Sequence, residues 1–256
     1  MFSVVTGVGC MNDELKELYE SKWGELLSEA RKLTPKAASP LLIKVDPSYY
    51  DADIKVMVVG QETDRWHGEL NSADKTVEML MKGYFDYFYQ ISENGKKRAN
   101  RAFWNKKNFR YFEVELSKYF KDKNKSISFV WNNISKIGNA GKNEGKAHRA
   151  IKTLERSHFN VIESEFEILK PDVVIFTTGS SRDSYIKHHF GQNICFEPKL
   201  SLINGGLSSE TLNLIAEIKI PQFKDTCFIR IEHPNRRTLS NTISLSVIKS
   251  ALENKT

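Results

Sequence analysis

The sequence predicts an α/β fold in which a mostly parallel sheet is covered on both faces. Three observations carry this. Short runs dense in β-branched residues recur along the chain, segments with helical apolar spacing separate them, and small or polar residues follow each run directly.

From Asn12 to Lys32, Leu15, Leu18, Trp23, Leu26, Leu27 and Ala30 fall close to a helical period, so a first helix is expected behind an Asn12-Asp13 cap. The segment from Thr34 to Asp53 contains Pro35, Pro40 and Pro47, which resist regular structure. Ile54 to Val59 then runs straight into Gly60, as a buried strand ending in a turn does. Ala73 to Gln90 and Phe109 to Phe120 read as aromatic-rich helices. The polar, basic stretch around 94–125 reads as an insertion within the domain.

Ser126 to Asn133 is expected as a second strand and Arg149 to Leu169 as one helix. Pro171 to Phe176 is a third strand, rich in the β-branched residues of a buried parallel position. The turn Thr177-Thr178-Gly179-Ser180-Ser181 opens another helix. Asn193 to Phe223 shows no clear pattern. Thr226 to Glu232 is a further strand, and Ser240 caps a closing helix through Leu252. With no internal repeat and no linker-like segment, residues 12–256 read as a single domain behind a disordered leader of residues 1–11, and Met11 is an alternative start.

At 256 residues the chain is long enough to bury a core without disulfides. Its three cysteines, Cys10, Cys195 and Cys227, are odd in number and widely spaced, which suggests neither a disulfide framework nor a zinc site and fits the reducing cytoplasm. No apolar run approaches the roughly 20 residues a membrane span needs, so no membrane partner is expected. The net charge is +6, and basic residues gather between Lys96 and Lys125 and between Lys136 and Arg156. Such patches suit a polyanion, although a solvated lysine-rich face explains them equally well.

Ligands of open α/β sheets bind outside the carboxyl ends of the strands, so the residues that follow each apolar run matter most. They read Gly60-Gln61-Glu62-Thr63-Asp64, then Trp131-Asn132-Asn133, then Gly179-Ser180, and last Glu232-His233-Pro234-Asn235-Arg236-Arg237. In this order they resemble the uracil-DNA glycosylase superfamily. There a first strand ends in a Gly-Gln-Asp-Pro-Tyr-His or Gly-x-Asn-Pro-Gly motif, a second ends in asparagine, and a late strand ends in His-Pro-Ser. The likeness runs from about Ile54 to the C-terminus and departs at three places. Glu62 stands at the aspartate or asparagine position, Thr63 at the proline, and Asn235 at the serine.

The resemblance implies a three-layer αβα sandwich around a central, mostly parallel four-stranded sheet. It also implies a DNA glycosylase that flips a uracil or other damaged base and hydrolyses its N-glycosidic bond without metal or other cofactor. The cysteines are too few for the iron-sulfur cluster that some members carry. The implied partner is DNA, single- or double-stranded and containing uracil, and the implied state is a monomer.

Breaking the glycosidic bond builds positive charge on the sugar and negative charge on the base, so a carboxylate and a hydrogen-bond donor are needed. By family role, Glu62 orients water or stabilises the sugar, with Asp64 as the competing carboxylate, and His233 donates to the departing base. Gln61 and Asn132 would contact the base, and Trp66, Phe85, Tyr87 or Phe88 would stack on it. Gly179 and Ser180 would meet a phosphate, while Pro234, Asn235, Arg236 and Arg237 form the loop that approaches the nucleic acid.

Each residue also has a plain structural reading. Glu62 can satisfy loop N–H groups, Asn132 can end a strand by bonding its own turn, and His233 can be a satisfied strand-end histidine. Ser180 can be an N-cap, and Arg236 and Arg237 an exposed basic turn. Two rival functions therefore stand beside the glycosylase: a catalytically inactive nucleic-acid-binding module of the same fold, and a small-molecule nucleoside hydrolase.

Overall fold

A computed structural model of the chain describes residues 8–90, 109–141, 146–197, 214–233 and 240–253. The protein is α/β, with a six-stranded mixed sheet in the order β2-β1-β3-β6-β5-β4. The strands are β1 (Ile54–Glu62), β2 (Ile127–Ser135), β3 (Val173–Phe176), β4 (Cys195–Glu197), β5 (Ala216–Lys219) and β6 (Cys227–Arg230). Contacts group the chain into two compact units. The first draws on residues 1–50, 61–98 and 132–169, and the second on residues 51–60, 99–131 and 170–256.

The second unit holds the sheet pairings. β1 and β3 are parallel, with Val56 opposite Val173 and Val59 opposite Phe176. β3 and β6 are parallel, with Val173 opposite Cys227 and Phe176 opposite Arg230. All of β3 and β6 is buried, which is why these strands read as unbroken apolar runs. The expected four strands become six because residues within 193–223, where no pattern was legible, supply β4 and β5. β4 pairs antiparallel with β5 and β5 antiparallel with β6. Phe228 on β6 is 1% exposed. Its ring lies 6.3 Å from Phe176, 6.2 Å from Phe223 and 6.4 Å from Phe190. The second unit also contains α4 (Phe109–Lys121), α7 (Asp183–Phe190) and α8 (Asn241–Glu253). α8 is capped as its sequence predicts, with Ser240 Oγ accepting from Ile243 N at 3.2 Å.

The first unit packs α1 (Val8–Ala30) against α3 (Val77–Phe88), α5 (Arg149–His158) and α6 (Ile162–Leu169). α1 begins at Val8, before the expected Asn12 cap. The Asn12 side chain instead bonds Val45 twice, accepting from its N at 2.9 Å and donating to its O at 3.1 Å. That bond pins the proline-bearing segment, where the only helix is the single turn α2 (Pro47–Tyr50). Thr76 caps α3, accepting from Met79 N at 3.2 Å, and Val77, Leu80, Met81, Tyr84 and Phe88 form its buried face.

The one helix expected over 149–169 is two. Phe159 leaves helical geometry (φ −142°, ψ 41°) and turns inward, where its ring stacks 6.2 Å from Tyr19. A helix running straight through would leave that contact unmade. No helix among the described residues is long and apolar enough to cross a membrane.

Truncating the aromatic cluster of the second unit at its centre tests the packing. Phe228→Ala is expected to cost about 3–5 kcal/mol, read as a lower urea midpoint.

Candidate functional site

Within the second unit, the register places Val59, Phe176 and Arg230 side by side; β3 and β6 end at that level, while β1 runs on to Glu62. The backbone there is tied tightly. Thr177 donates to Val59 O from its N at 2.8 Å and from its Oγ1 at 3.0 Å. Ile231 N donates to Phe176 O at 2.8 Å, and Gly179 N donates to Ile231 O at 2.9 Å.

Gly179 has φ +69°, a conformation that suits glycine and strains other residues. An ideal Cβ there would lie 4.0 Å from His233 N, so space is not the constraint. The turn thus brings Gly179 beside the backbone of His233. Ser180 is exposed and opens a short 3₁₀ turn (Ser180–Arg182) for which Gly179, with no side chain, is the cap. His233 is half-buried. Below this edge the buried Arg230 faces Asp183, Nε to Oδ1 3.3 Å. Burial raises the Asp183 pKa and lowers that of Arg230, and each charge partly restores the other.

The remaining described candidates lie in the first unit. Gln61 and Glu62 are half-buried, and Glu62 Oε1 accepts from Ala147 N at 3.3 Å. Thr63, at the position where the family has proline, is 6% exposed and uses its hydroxyl, donating to Lys136 O at 3.1 Å. Gly138 closes on the same turn. A Cβ built there would be 2.0 Å from Thr63 O, so only glycine fits. Asp64 is exposed and sits 3.1 Å from Arg65 Nε.

The loop then takes three left-handed residues in four, Arg65 (φ +50°), His67 (φ +50°) and Gly68 (φ +75°). Two of these are not glycine, and strain of that kind tends to collect at ligand loops. The loop carries Trp66, whose ring meets Tyr87 at 5.2 Å and His67 at 4.8 Å, both edge-on. Phe85 pairs with Tyr89 at 5.4 Å, and Phe88 is core. Of the stacking candidates, Trp66 and Tyr87 are therefore brought together, and Phe85 faces elsewhere.

Asn132 is 0% exposed, and its amide is engaged inside the first unit. Nδ2 donates to Glu165 Oε2 at 2.8 Å, and Oδ1 accepts from Lys136 Nζ at 2.7 Å and from Asn133 N at 2.8 Å. Lys136 and Glu165 are also 0% exposed and pair at 2.7 Å, and Tyr19 OH donates to Glu165 Oε1 at 2.6 Å. Burial lowers the Lys136 pKa against the pull of Glu165, and raises that of Tyr19, with Glu165 adding to the effect. Next to this group, Glu155 accepts from Lys136 N at 2.7 Å and Ile137 N at 3.1 Å. Burial pushes its carboxyl up to about 7 against those bonds.

Sequence reading missed Lys136, Glu155, Glu165 and His67. A signal existed for both glutamates, which fall at helical spacing among Ile151, Leu154, Ile162, Phe166 and Leu169, on faces that are otherwise apolar. His67 packs on a glycine. A Cβ on Gly83 would meet the tip of the His67 ring, which would have to swing aside. Desolvation, followed by the charge of Lys75, lowers the His67 pKa and favours the neutral ring.

Pro234, Asn235, Arg236 and Arg237 lie outside the described residues, as do the leader through residue 7 and residues 91–108 of the basic stretch. Among the described residues no cluster of three or more His, Cys, Asp or Glu is placed to hold a metal.

Set against known proteins, the chain matches no family model and no curated protein. The fold itself defines the class: an α/β protein in which β1, β3 and β6 run parallel within a six-stranded mixed sheet.

Two measurements test the buried groups. Lys136→Met strands Glu165 and is expected to cost about 3–5 kcal/mol in urea unfolding, while the double change Lys136→Met with Glu165→Leu costs less. Glu155 has its pKa raised to about 7 from the ordinary 4.5. Its contribution to stability is therefore fully present below the ordinary value and lost as pH rises through about 7. The loss is of order 3 kcal/mol, and Glu155→Gln should flatten that part of the stability profile between about pH 4.5 and 8.

Proposed function

We propose that this chain is a metal-independent N-glycosidase of the uracil-DNA glycosylase kind, acting on an extruded uracil or other damaged base in DNA. The observation that supports it is the edge at which β3 and β6 end beside Val59 of β1, Val59, Phe176 and Arg230 being in register. That edge is where sheets of this type bind ligands. Glu62 ends β1, and His233 follows β6 by three residues.

In this reading water adds to the sugar carbon while the bond to the base breaks. Glu62 orients that water or stabilises the cationic sugar, and His233 donates a hydrogen bond to the base as it takes up the bonding electrons. Trp66 with Tyr87 supplies the stacking surface, on a loop whose left-handed residues hold it in one shape. Gln61 contacts the base, and Asn132, with its amide engaged by Glu165 and Lys136, positions the end of β2 rather than touching substrate. Asp64, exposed and paired with Arg65, is the lesser carboxylate. Gly179 and Ser180 meet a phosphate, and the loop 234–237 follows the nucleic acid. A cytoplasmic monomer acting on DNA completes the proposal.

One observation favours the inactive module instead. Glu62 Oε1 accepts from Ala147 N, as a loop carboxylate does. Base release separates the two, using labelled single- and double-stranded oligonucleotides that carry uracil, hypoxanthine or a mismatched thymine. The proposal expects release that falls by about 10²-fold or more in Glu62→Gln and in His233→Ala. Salt-dependent binding without release would establish the module, and turnover of free nucleosides with weak DNA affinity would establish the small-molecule hydrolase.

A further inference from the structure

The first unit carries a surface cavity of about 500 Å³ between the end of α1 and the start of α5. That volume lies in the range of small-molecule sites. Its apolar part is Leu33, Ala150 and Leu154, of which Leu154 is 4% exposed.

Its polar part is mainly cationic. Arg149 lines the cavity and has no carboxylate partner among the described residues. Lys32 sits 2.6 Å from Glu29 Oε1, the one carboxylate on the wall. His148 accepts from Ala150 N through Nδ1 at 3.2 Å, which leaves Nε2 as the donor of the neutral ring. His158, also on the wall, is held 2.9 Å from Glu25.

We propose that this cavity binds a small phosphomonoester. The Arg149 fork and the Lys32 ammonium hold the phosphate, His148 donates from Nε2, and the body of the ligand rests on Leu33, Ala150 and Leu154. A guanidinium, an ammonium and an imidazole donor together can serve the three terminal oxygens of a phosphomonoester, whereas a carboxylate has only two. An apolar floor beside the cations suits one body attached to a terminal phosphate, whereas a polynucleotide backbone continues on both sides of each phosphate.

Calorimetric titration of the full chain tests this with adenosine 5′-monophosphate, adenosine, inorganic phosphate and a single-stranded oligonucleotide lacking a terminal phosphate. The proteins are the unmodified chain, Arg149→Glu and Glu29→Gln, with folding checked by circular dichroism. The monophosphate is expected to bind about 10-fold or more tighter than adenosine. Arg149→Glu is expected to remove that preference, and Glu29→Gln to tighten the monophosphate by about 2- to 5-fold, because Lys32 loses its competing carboxylate. Inorganic phosphate should bind more weakly than the monophosphate, since it leaves the apolar floor bare. Equal binding of monophosphate and adenosine, or monophosphate binding unchanged in Arg149→Glu, overturns the proposal. So does binding of the oligonucleotide alone. None of these variants touches Glu62 or His233, so glycosidase activity and this site succeed or fail separately.

Discussion

A buried charge pair organises the first unit. Lys136 and Glu165 lie wholly out of water at 2.7 Å, and such a pair is tolerable only when its remaining donors and acceptors are met. They are met by Tyr19 and Asn132, and Tyr19 in turn takes a hydrogen bond from Ile43 N at 3.1 Å. One carboxylate thereby ties α1, α6, the end of β2 and the segment before α2. The backbone of Lys136 does as much again. Its N donates to Glu155, and its O accepts from Leu41 N at 3.0 Å and from the Thr63 hydroxyl at 3.1 Å. The loop that follows β1 is thus moored to the residue that carries the buried charge.

β1, β2, β3 and β6 were legible because each is a dense apolar run, as the wholly buried β3 and β6 require, whereas β5 was not. Where burial is partial the signal fades. β4 has exposed and half-exposed residues, and it was not legible. Helix ends were less legible than helix faces. Asn12 has the chemistry of a cap, yet Val45, 33 residues on, competes for the same side chain and wins it. The break at Phe159 is likewise set by a ring elsewhere in the chain, Tyr19, and not by a local stop signal.

The site residues divide in the same way. Which positions fall at strand ends follows from local pattern. What their side chains do depends on partners that no local pattern names. Asn132 and Thr63 show this most clearly, since both point to chemistry by position and both are bonded to Lys136. Two of the five places where the chain passes between units, after Gly60 in β1 and after Trp131 in β2, lie inside strands, where no linker is possible and composition leaves no trace.

That interleaving bears on how the chain comes to be folded as it is synthesised. Neither unit is a continuous stretch, so neither is finished when its first segment leaves the ribosome. The first unit waits for α6, and β1 waits for β3, more than 100 residues on, before its pairing on that side exists. Local helices can form early, but the sheet is held back until distant strands arrive, and loop closure over that separation makes its assembly the slow event. Cutting the gene at any point between residues 61 and 131 should divide both units at once, and no single cut releases both intact, so this protein is a poor candidate for dissection into autonomous fragments.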